Sequence, residues 1–364
     1  MSAAANPAAT LLTVVVGASL VFLMSSLLTR KVRFLAARMG VVDVPGGRRQ
    51  HAQTTPRGGG LAIVAVVLVL AWFLLAFGYS PSWTAAVAIG GLLVAIVGGL
   101  DDLLGPPALA RLAVHLLAAG FVALFAWYPH ALAVGVGPFG QLAGFGAVVW
   151  TTLLIGWTLN AVNFMDGIDG LAASTTVAVA LGMLACGVVH HAGSLPPLAW
   201  LLLDVGVAAA TGGFLYHNWP PATVFLGDVG SGFLGFALMV LALWADAASV
   251  APLTCFLVLM GCFYVDTGWT LLRRALRFQP VWHAHSEHAF HQALRRGFSH
   301  RQISLAYLSV VLLWSAPLAL LAATGWVPGW IVVTVAYLPL LAGAIALGAG
   351  TPAPEDASPG GEAQ

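Results

Sequence analysis

Long apolar runs, broken by short stretches rich in proline, glycine or polar residues, recur from one end of this chain to the other. Eleven runs are read, roughly 10–29, 59–78, 83–100, 108–127, 143–162, 171–190, 197–217, 231–246, 249–272, 303–322 and 327–348. Each approaches the ~20 apolar residues that a helix needs to cross a hydrocarbon core about 30 Å thick. Breaks such as "PPALA", "GSLPP", "NWPPA" and "GWVPGW" stop helices because proline has no backbone N–H to donate and glycine favours turns. The pattern predicts an all-α polytopic integral membrane protein with about 10–11 transmembrane helices. One transmembrane domain is expected over residues 1–349, followed by a tail at 350–364 that is acidic, rich in proline and glycine, and so disordered.

Composition agrees. Of 364 residues, 60% are hydrophobic and 7% charged, against about 25% charged in soluble domains, which excludes a water-soluble fold. Cys186, Cys255 and Cys262 all sit inside apolar runs without a CxxC pair. They read as small hydrophobes rather than a disulfide framework or zinc site. The first run lacks a basic segment before it and is followed by basic residues, so it reads as a retained span. The net charge of +1 identifies no partner, and no nucleic-acid partner is expected.

The placement of charge says more than its sum. Seven basic residues, Arg30 to Arg57, fall at the first break. Arg111 adjoins the third, and Arg273, Arg274, Arg277, Arg295, Arg296 and Arg301 fall at the ninth. With eleven spans, all fourteen Lys and Arg residues lie on one side of the membrane, which the positive-inside rule makes cytoplasmic. The N-terminus is then outside and the tail inside.

Ionisable groups at membrane depth are costly and mark function by default. Five clusters share the side of the arginines: "QHAQTTPRGGG" (50–60) with Arg57; "GLDDLLG" (99–105) with Asp101 and Asp102; "NAVNFMDGIDG" (160–170); "FLGDVGSGFLG" (225–235) with Asp228; and a loop at 273–297 with His283, His285, His288 and His291. Asn160, Asn163, Asp166 and Asp169 are three apart, which keeps them on roughly one helix face, drifting about 60° per step. A capping motif would use only one or two of them. "GDVGSG" follows an apolar helix rather than a strand, so it is not a dinucleotide loop; Ser231 is available to cap the next span. His285, His288 and His291 leave open a metal cluster, a phosphate site or a surface stripe. His115, His130, His190, His191 and His217 read as structural. Asp204 and Asp246 read as interfacial, and Asp266, two turns before Arg273 and Arg274, is expected to pair with one of them.

Adjacent carboxylates such as Asp101 and Asp102 repel unless one is protonated or a cation lies near. With Asp228 they offer the hard oxygens that Mg²⁺ accepts, usually as one or two carboxylates plus phosphates and waters. A phosphate substrate would need positive charge from Arg57, the imidazoles and the metal. The clusters thus suggest metal-dependent phosphoryl chemistry at one membrane face.

The order Asp-Asp, "NAVNFMDGIDGLA", "FLGDVGSGFLG" and a histidine-rich loop, over about residues 43–300, resembles the polyprenyl-phosphate N-acetylhexosamine-1-phosphate transferase superfamily of glycosyltransferase family 4 type. The segments "DVPGGRRQHAQTTPRGGGLAIV" and "VWHAHSEHAF" look closest to its O-antigen-initiating branch. The resemblance implies a bacterial inner-membrane enzyme with its site facing the cytoplasm. There undecaprenyl phosphate attacks the β-phosphate of a UDP-N-acetylhexosamine and UMP leaves. It implies Asp101 and Asp102 as the essential pair, one of them a base for the lipid phosphate. Asp228, with Asp102, would ligate Mg²⁺ (Mn²⁺ being the alternative ion). Asn160, Asn163, Asp166, Asp169, His285, His288 and Arg57 would bind nucleotide, sugar and phosphate. Membrane lipids and a second copy of the chain are the other implied partners. Two departures stand out. Leu103-Leu104 occupies the place where other branches carry a further charge, and Ser286 stands where an arginine is expected. The absence of adjacent histidines in "HAHSEHAFH" argues against a muramoyl-pentapeptide donor, the alternative within the superfamily. A transporter is the alternative from another class. It would place polar residues near the midplane, often in paired repeats, whereas here they gather at one face.

Overall fold

The computed structural model describes residues 7–43, 54–104, 108–127, 145–191, 195–283 and 285–352. Arg48, Arg49, His51, His130 and the tail from 353 onward lie outside them. The chain is all-α apart from one antiparallel pairing of Val42–Asp43 with Thr55–Pro56. The helices are α1 (Pro7–Met39), α2 (Leu61–Ala76), α3 (Pro81–Ala85), α4 (Gly91–Leu104), α5 (Ala108–Val122), α6 (Phe145–Phe164), α7 (Leu171–His190), α8 (Leu198–Asn218), α9 (Asp228–Ala247), α10 (Leu253–Leu259), α11 (Gly261–Leu276), α12 (Ala289–Arg295), α13 (His300–Val310), α14 (Ala316–Ala323) and α15 (Gly329–Ala346). A π-helical turn at Ala86–Gly90 joins α3 to α4, and another at Val311–Ser315 joins α13 to α14.

Among the described residues, eight helices are long and apolar enough to cross a membrane, nine if α10 and α11 count as one span bent by 68°. Two shorter apolar helices, Leu61–Ala76 and Leu109–Phe125, occupy the second and fourth expected stretches. All eleven stretches are therefore helical, and two of them are shorter than a full crossing.

The spans are sorted by burial. α9 is enclosed along its length, from Val229 to Ala245, and packs against α2, α4, α6, α7 and α8. α1 and α15 lie at the periphery with apolar faces exposed, as helices facing lipid require. Packing inside a bilayer depends on close backbone approach more than on a hydrophobic drive. Gly60 and Gly230 provide it: a Cβ on Gly60 would lie 2.3 Å from the Gly230 Cα. This brings the chain entering α2 against the first turn of α9.

Several expectations change. Asp266 does not pair with Arg273 or Arg274. It accepts hydrogen bonds from the Tyr307 hydroxyl (2.7 Å) and the Ala289 N–H (2.8 Å), while Arg274 and Arg277 both pair with Glu287. In sequence Arg274 is nearer Asp266, but the loop's return brings Glu287 under both arginines. Asp204 is buried rather than interfacial; one of its carboxyl oxygens has no partner, and nothing in the structure explains it. Asp246 accepts the Leu253 N–H at 2.8 Å and so starts α10. Gly350 donates to the Glu287 carbonyl and Gln292 donates to Thr351. The three cysteines are free and buried.

Candidate active site

The site starts as backbone. Phe225 donates its N–H to Pro56, and Gly59 and Gly60 return theirs to Phe225 and Leu226, at 2.8, 2.8 and 2.9 Å. The segment carrying Arg57 is thereby fastened to the one that leads into Asp228. The first N–H groups of a helix need acceptors and form a partial positive pole. On α9 the acceptor is Asp102, from the end of α4. Its Oδ1 accepts the Asp228 N–H (2.9 Å) and its Oδ2 the Val229 N–H (3.1 Å). Arg57 Nε pairs with Oδ1 at 2.8 Å. Gly227, at φ 76°, leaves room for this: a Cβ there would stand 2.6 Å from Asp102 Oδ2. Ser231 is not the cap; it donates to the Gly227 carbonyl and accepts from Asn163.

Asp228 is the hub. Arg57 Nη2 donates to its Oδ2 at 2.8 Å, and Asn163 Nδ2 to its Oδ1 at 2.6 Å. The Asp101 carboxyl lies within hydrogen-bonding range of it. Arg111, from the first turn of α5, pairs with Asp101 and comes within 3.8 Å of Asp228 Oδ2. Burial lowers the Arg57 pKa, but Asp228 and Asp102 outweigh it and hold the guanidinium firmly charged.

Asp101, Arg111, Asn160, Asn163 and Asp228 line one end of a cavity of about 530 Å³. The rest of its wall is mainly apolar, with Leu112, Leu116, Leu153 and Trp157, and Val281 and Trp282 from the histidine loop. Asp102 is not in that lining. Both its oxygens are occupied, and the carboxylate that faces the cavity beside Asp228 is Asp101. Asn160 donates to the Gly156 carbonyl, one turn back on α6.

The second half of the Asn/Asp stripe diverges. α6 ends at Phe164, so Asp166 and Asp169 sit in the turn before α7. Burial foremost, then the Asp228 carboxylate, hold the Asp166 carboxyl well above the usual carboxylate range. Asp169 points elsewhere: it accepts the Ala222 N–H (2.9 Å) and lies 3.2 Å from His300 Nδ1, joining the turn to α13. The histidines come together off any common helix face. His288 immediately precedes α12, with ring centroids 4.9 Å from His285 and 5.8 Å from His291. Phe164 lies 6.3 Å from the His285 ring.

Neither ring nitrogen of His285 has a partner. Burial first, then His288 and Arg274, bring its pKa down to about 3, from about 6.5 in an unfolded chain. The unfolded chain therefore binds the proton first, and stability falls as pH drops from 6.5 towards 3. Purified protein should melt progressively lower between pH 7 and 5, and His285→Phe should flatten that slope.

Sequence reasoning missed two residues of the cavity. Arg111 counted only towards topology, and His115 as structural. His115 is buried, lines the cavity one turn beyond Arg111, and has an unpartnered Nδ1. Their i, i+4 spacing on an otherwise apolar helix was the available signal. Arg111 also supplies a cation beside Asp101, which the Leu103-Leu104 dipeptide does not.

Asp101, Asp102 and Asp228 against Arg57 and Arg111 leave one negative charge. Among the described residues, no three His, Cys, Asp or Glu side chains form a ready-made metal cage. Mg²⁺ does not need one, since it commonly takes one or two carboxylates and completes its shell with phosphate and water. Two carboxyl groups in contact require a shared proton or a cation. The Asp101–Asp228 pair thus fits Mg²⁺ arriving with a phosphate substrate, or Mn²⁺, which takes the same oxygen donors.

Residues 83–246 match the family model described as glycosyl transferase family 4. A probable undecaprenyl-phosphate N-acetylglucosaminyl 1-phosphate transferase from Bacillus subtilis is 29% identical over 320 residues, covering 87% of each chain. A decaprenyl-phosphate N-acetylglucosaminephosphotransferase from Mycolicibacterium smegmatis is 33% identical, over 80% of this chain and 77% of the relative. A phospho-N-acetylmuramoyl-pentapeptide-transferase from a Synechococcus strain is 30% identical over 77% and 81%. The paired aspartates, the asparagine helix and the Asp228 hub thus sit on the chain of a multi-pass membrane protein that belongs to glycosyl transferase family 4, within the polyprenyl-phosphate N-acetylhexosamine-1-phosphate transferase superfamily.

Proposed function

We propose that this protein transfers an N-acetylhexosamine 1-phosphate from a UDP-sugar to undecaprenyl phosphate. UMP is released, and the product is a lipid-linked diphosphate sugar for O-antigen or related surface polysaccharide. The observation that carries the reading is a cavity that joins an apolar, lipid-compatible wall to a polar end built from Asp101, Arg111, Asn163 and Asp228. We place the site on the cytoplasmic face of a bacterial inner membrane, following the charge bias. UDP-N-acetylglucosamine is the first donor to try, because the Bacillus and Mycolicibacterium relatives are named for that sugar.

The chemistry brings two anions together. An oxygen of the lipid phosphate attacks the β-phosphorus of the donor, the bond from that phosphorus to the bridging oxygen breaks, and the α-phosphate departs with UMP. Catalysis of this type is mostly positioning and charge neutralisation. Arg57 and Arg111 flank the carboxylates, so phosphates seated among them meet two fixed cations. Asn163 and Arg57 hold the Asp228 carboxylate in one orientation. The unpartnered nitrogens of His285 suit sugar or phosphate oxygens. A lipid phosphate is largely ionised at neutral pH, its second pKa being about 6, so Asp101 acts by organising the site more than by removing a proton. Mg²⁺ held by Asp228 and Asp101 would neutralise charge on the transferring phosphoryl group.

The test is UMP release from purified protein, undecaprenyl phosphate and a panel of UDP-sugars, with and without divalent metal. Metal-dependent UMP from an N-acetylhexosamine donor is expected. Turnover only with the muramoyl-pentapeptide donor would assign the activity named in the Synechococcus relative, and none with any donor would refute the proposal.

A further inference from the structure

Beyond the cavity, the turn after α11 exposes aromatic side chains in an unusual way. Phe278 is 97% exposed and Trp282 60%. Phe278 also has φ 56°, a left-handed conformation that is a genuine outlier for a bulky residue. An aromatic ring held out at backbone expense is explained if something apolar receives it. Leu272 and Leu276, one turn apart on α11, are also exposed and continue the row. The opposite face of α11 turns inward through Asp266, Thr270 and Arg274, which are buried. The row is thus continuous with the outer surface of a helix in a membrane-spanning pair that breaks by 68°. Arg273 and Arg277 are half-buried beside it, Arg273 donating to the Ala349 carbonyl and Arg277 paired with Glu287, and positive charge at that edge suits anionic headgroups. Val281 and Trp282, at the end of the same turn, line the cavity.

We propose that residues 276–282 form a lip that inserts Phe278 and Trp282 into the headgroup boundary of the adjacent leaflet, at the mouth of the cavity, where a membrane-borne acceptor enters. Tryptophan favours that depth, with its apolar body in the chains and its N–H in the headgroups, and phenylalanine adds buried apolar area to such an anchor. The insertion stands on the surface alone; the entry role rests on the proposed transferase reading.

The full-length Phe278→Cys protein, labelled at position 278 with an environment-sensitive fluorophore, is placed in phosphatidylethanolamine/phosphatidylglycerol vesicles carrying headgroup-proximal nitroxide lipids. Blue-shifted emission that the nitroxides quench is expected. Water-like emission without quenching would overturn the insertion. For entry, Phe278→Asp should raise the KM for undecaprenyl phosphate about tenfold, the scale of one lost aromatic anchor. The donor KM should stay unchanged, and Phe278→Trp should restore the acceptor KM. An unchanged acceptor KM, or an equal rise in both, would overturn the entry role. If the unsubstituted protein turned over no donor at all, the transferase reading would fail, while the fluorophore still decides the insertion.

Discussion

Asp228→Asn is expected to lower turnover about a thousandfold, the scale seen when a preorganised electrostatic group is removed from a reacting centre, while the protein still folds. The substitution keeps the shape and one carbonyl oxygen, so Asn163 Nδ2 retains an acceptor within its present 2.6 Å. It removes the charge to which Arg57 donates at 2.8 Å and near which Arg111 sits at 3.8 Å. Two consequences follow. The guanidinium groups lose the partner that orients them, and the Asp101–Asp228 pair no longer offers two anionic oxygens to a divalent ion. If Asp228 ligates the metal, the residual rate of the variant should also require far more Mg²⁺ for half-saturation. Metal titration of UMP release reads both quantities. Wild-type turnover with an unchanged metal requirement would remove Asp228 from the centre of the site.

How far this site could be read from the chain depends on which contacts are local. The helices were legible because a lipid-facing or buried span must be apolar over some twenty residues whatever its neighbours do. The four-residue stripe was legible as an anomaly but not as a geometry. Asn160 and Asn163 share a face while α6 lasts; beyond Phe164 the chain turns, taking Asp166 off that face and sending Asp169 to the Ala222 N–H and His300. The partners of Asp266 and Glu287 were hidden because a 68° break and a returning loop decide them. Arg111 and His115 were hidden for a different reason. One arginine and one histidine on an apolar helix resemble interfacial residues, until α4 and α6 are placed beside them.

The paired aspartates were the part the sequence could least divide, and the structure predicts that they separate by experiment. Successive residues on a helix point about 100° apart, so Asp101 and Asp102 cannot do the same work. Asp101 faces the cavity with Arg111; Asp102 faces α9 and holds its first N–H groups together with Arg57. Asp101→Asn should therefore cut turnover by a hundredfold or more, about the cost of one lost charge-stabilising group. It should shift stability by less than about 1 kcal/mol, because the amide keeps the shape and a carbonyl oxygen for Arg111, which is itself a third exposed, and no helix cap is lost. Asp102→Ala should lose activity and also about 2 kcal/mol of stability, the upper end for a missing helix cap, because the Asp228 and Val229 N–H groups both lose their acceptor. Gly227→Ala provides an independent check, since its Cβ would press on Asp102 Oδ2 at 2.6 Å and its φ of 76° disfavours any side chain. It should reproduce the Asp102→Ala loss of stability with both aspartates intact. Thermal unfolding in detergent, read beside UMP release, separates the two roles: equal destabilisation by Asp101→Asn and Asp102→Ala would mean that the pair acts as one structural unit, against the division drawn from their partners.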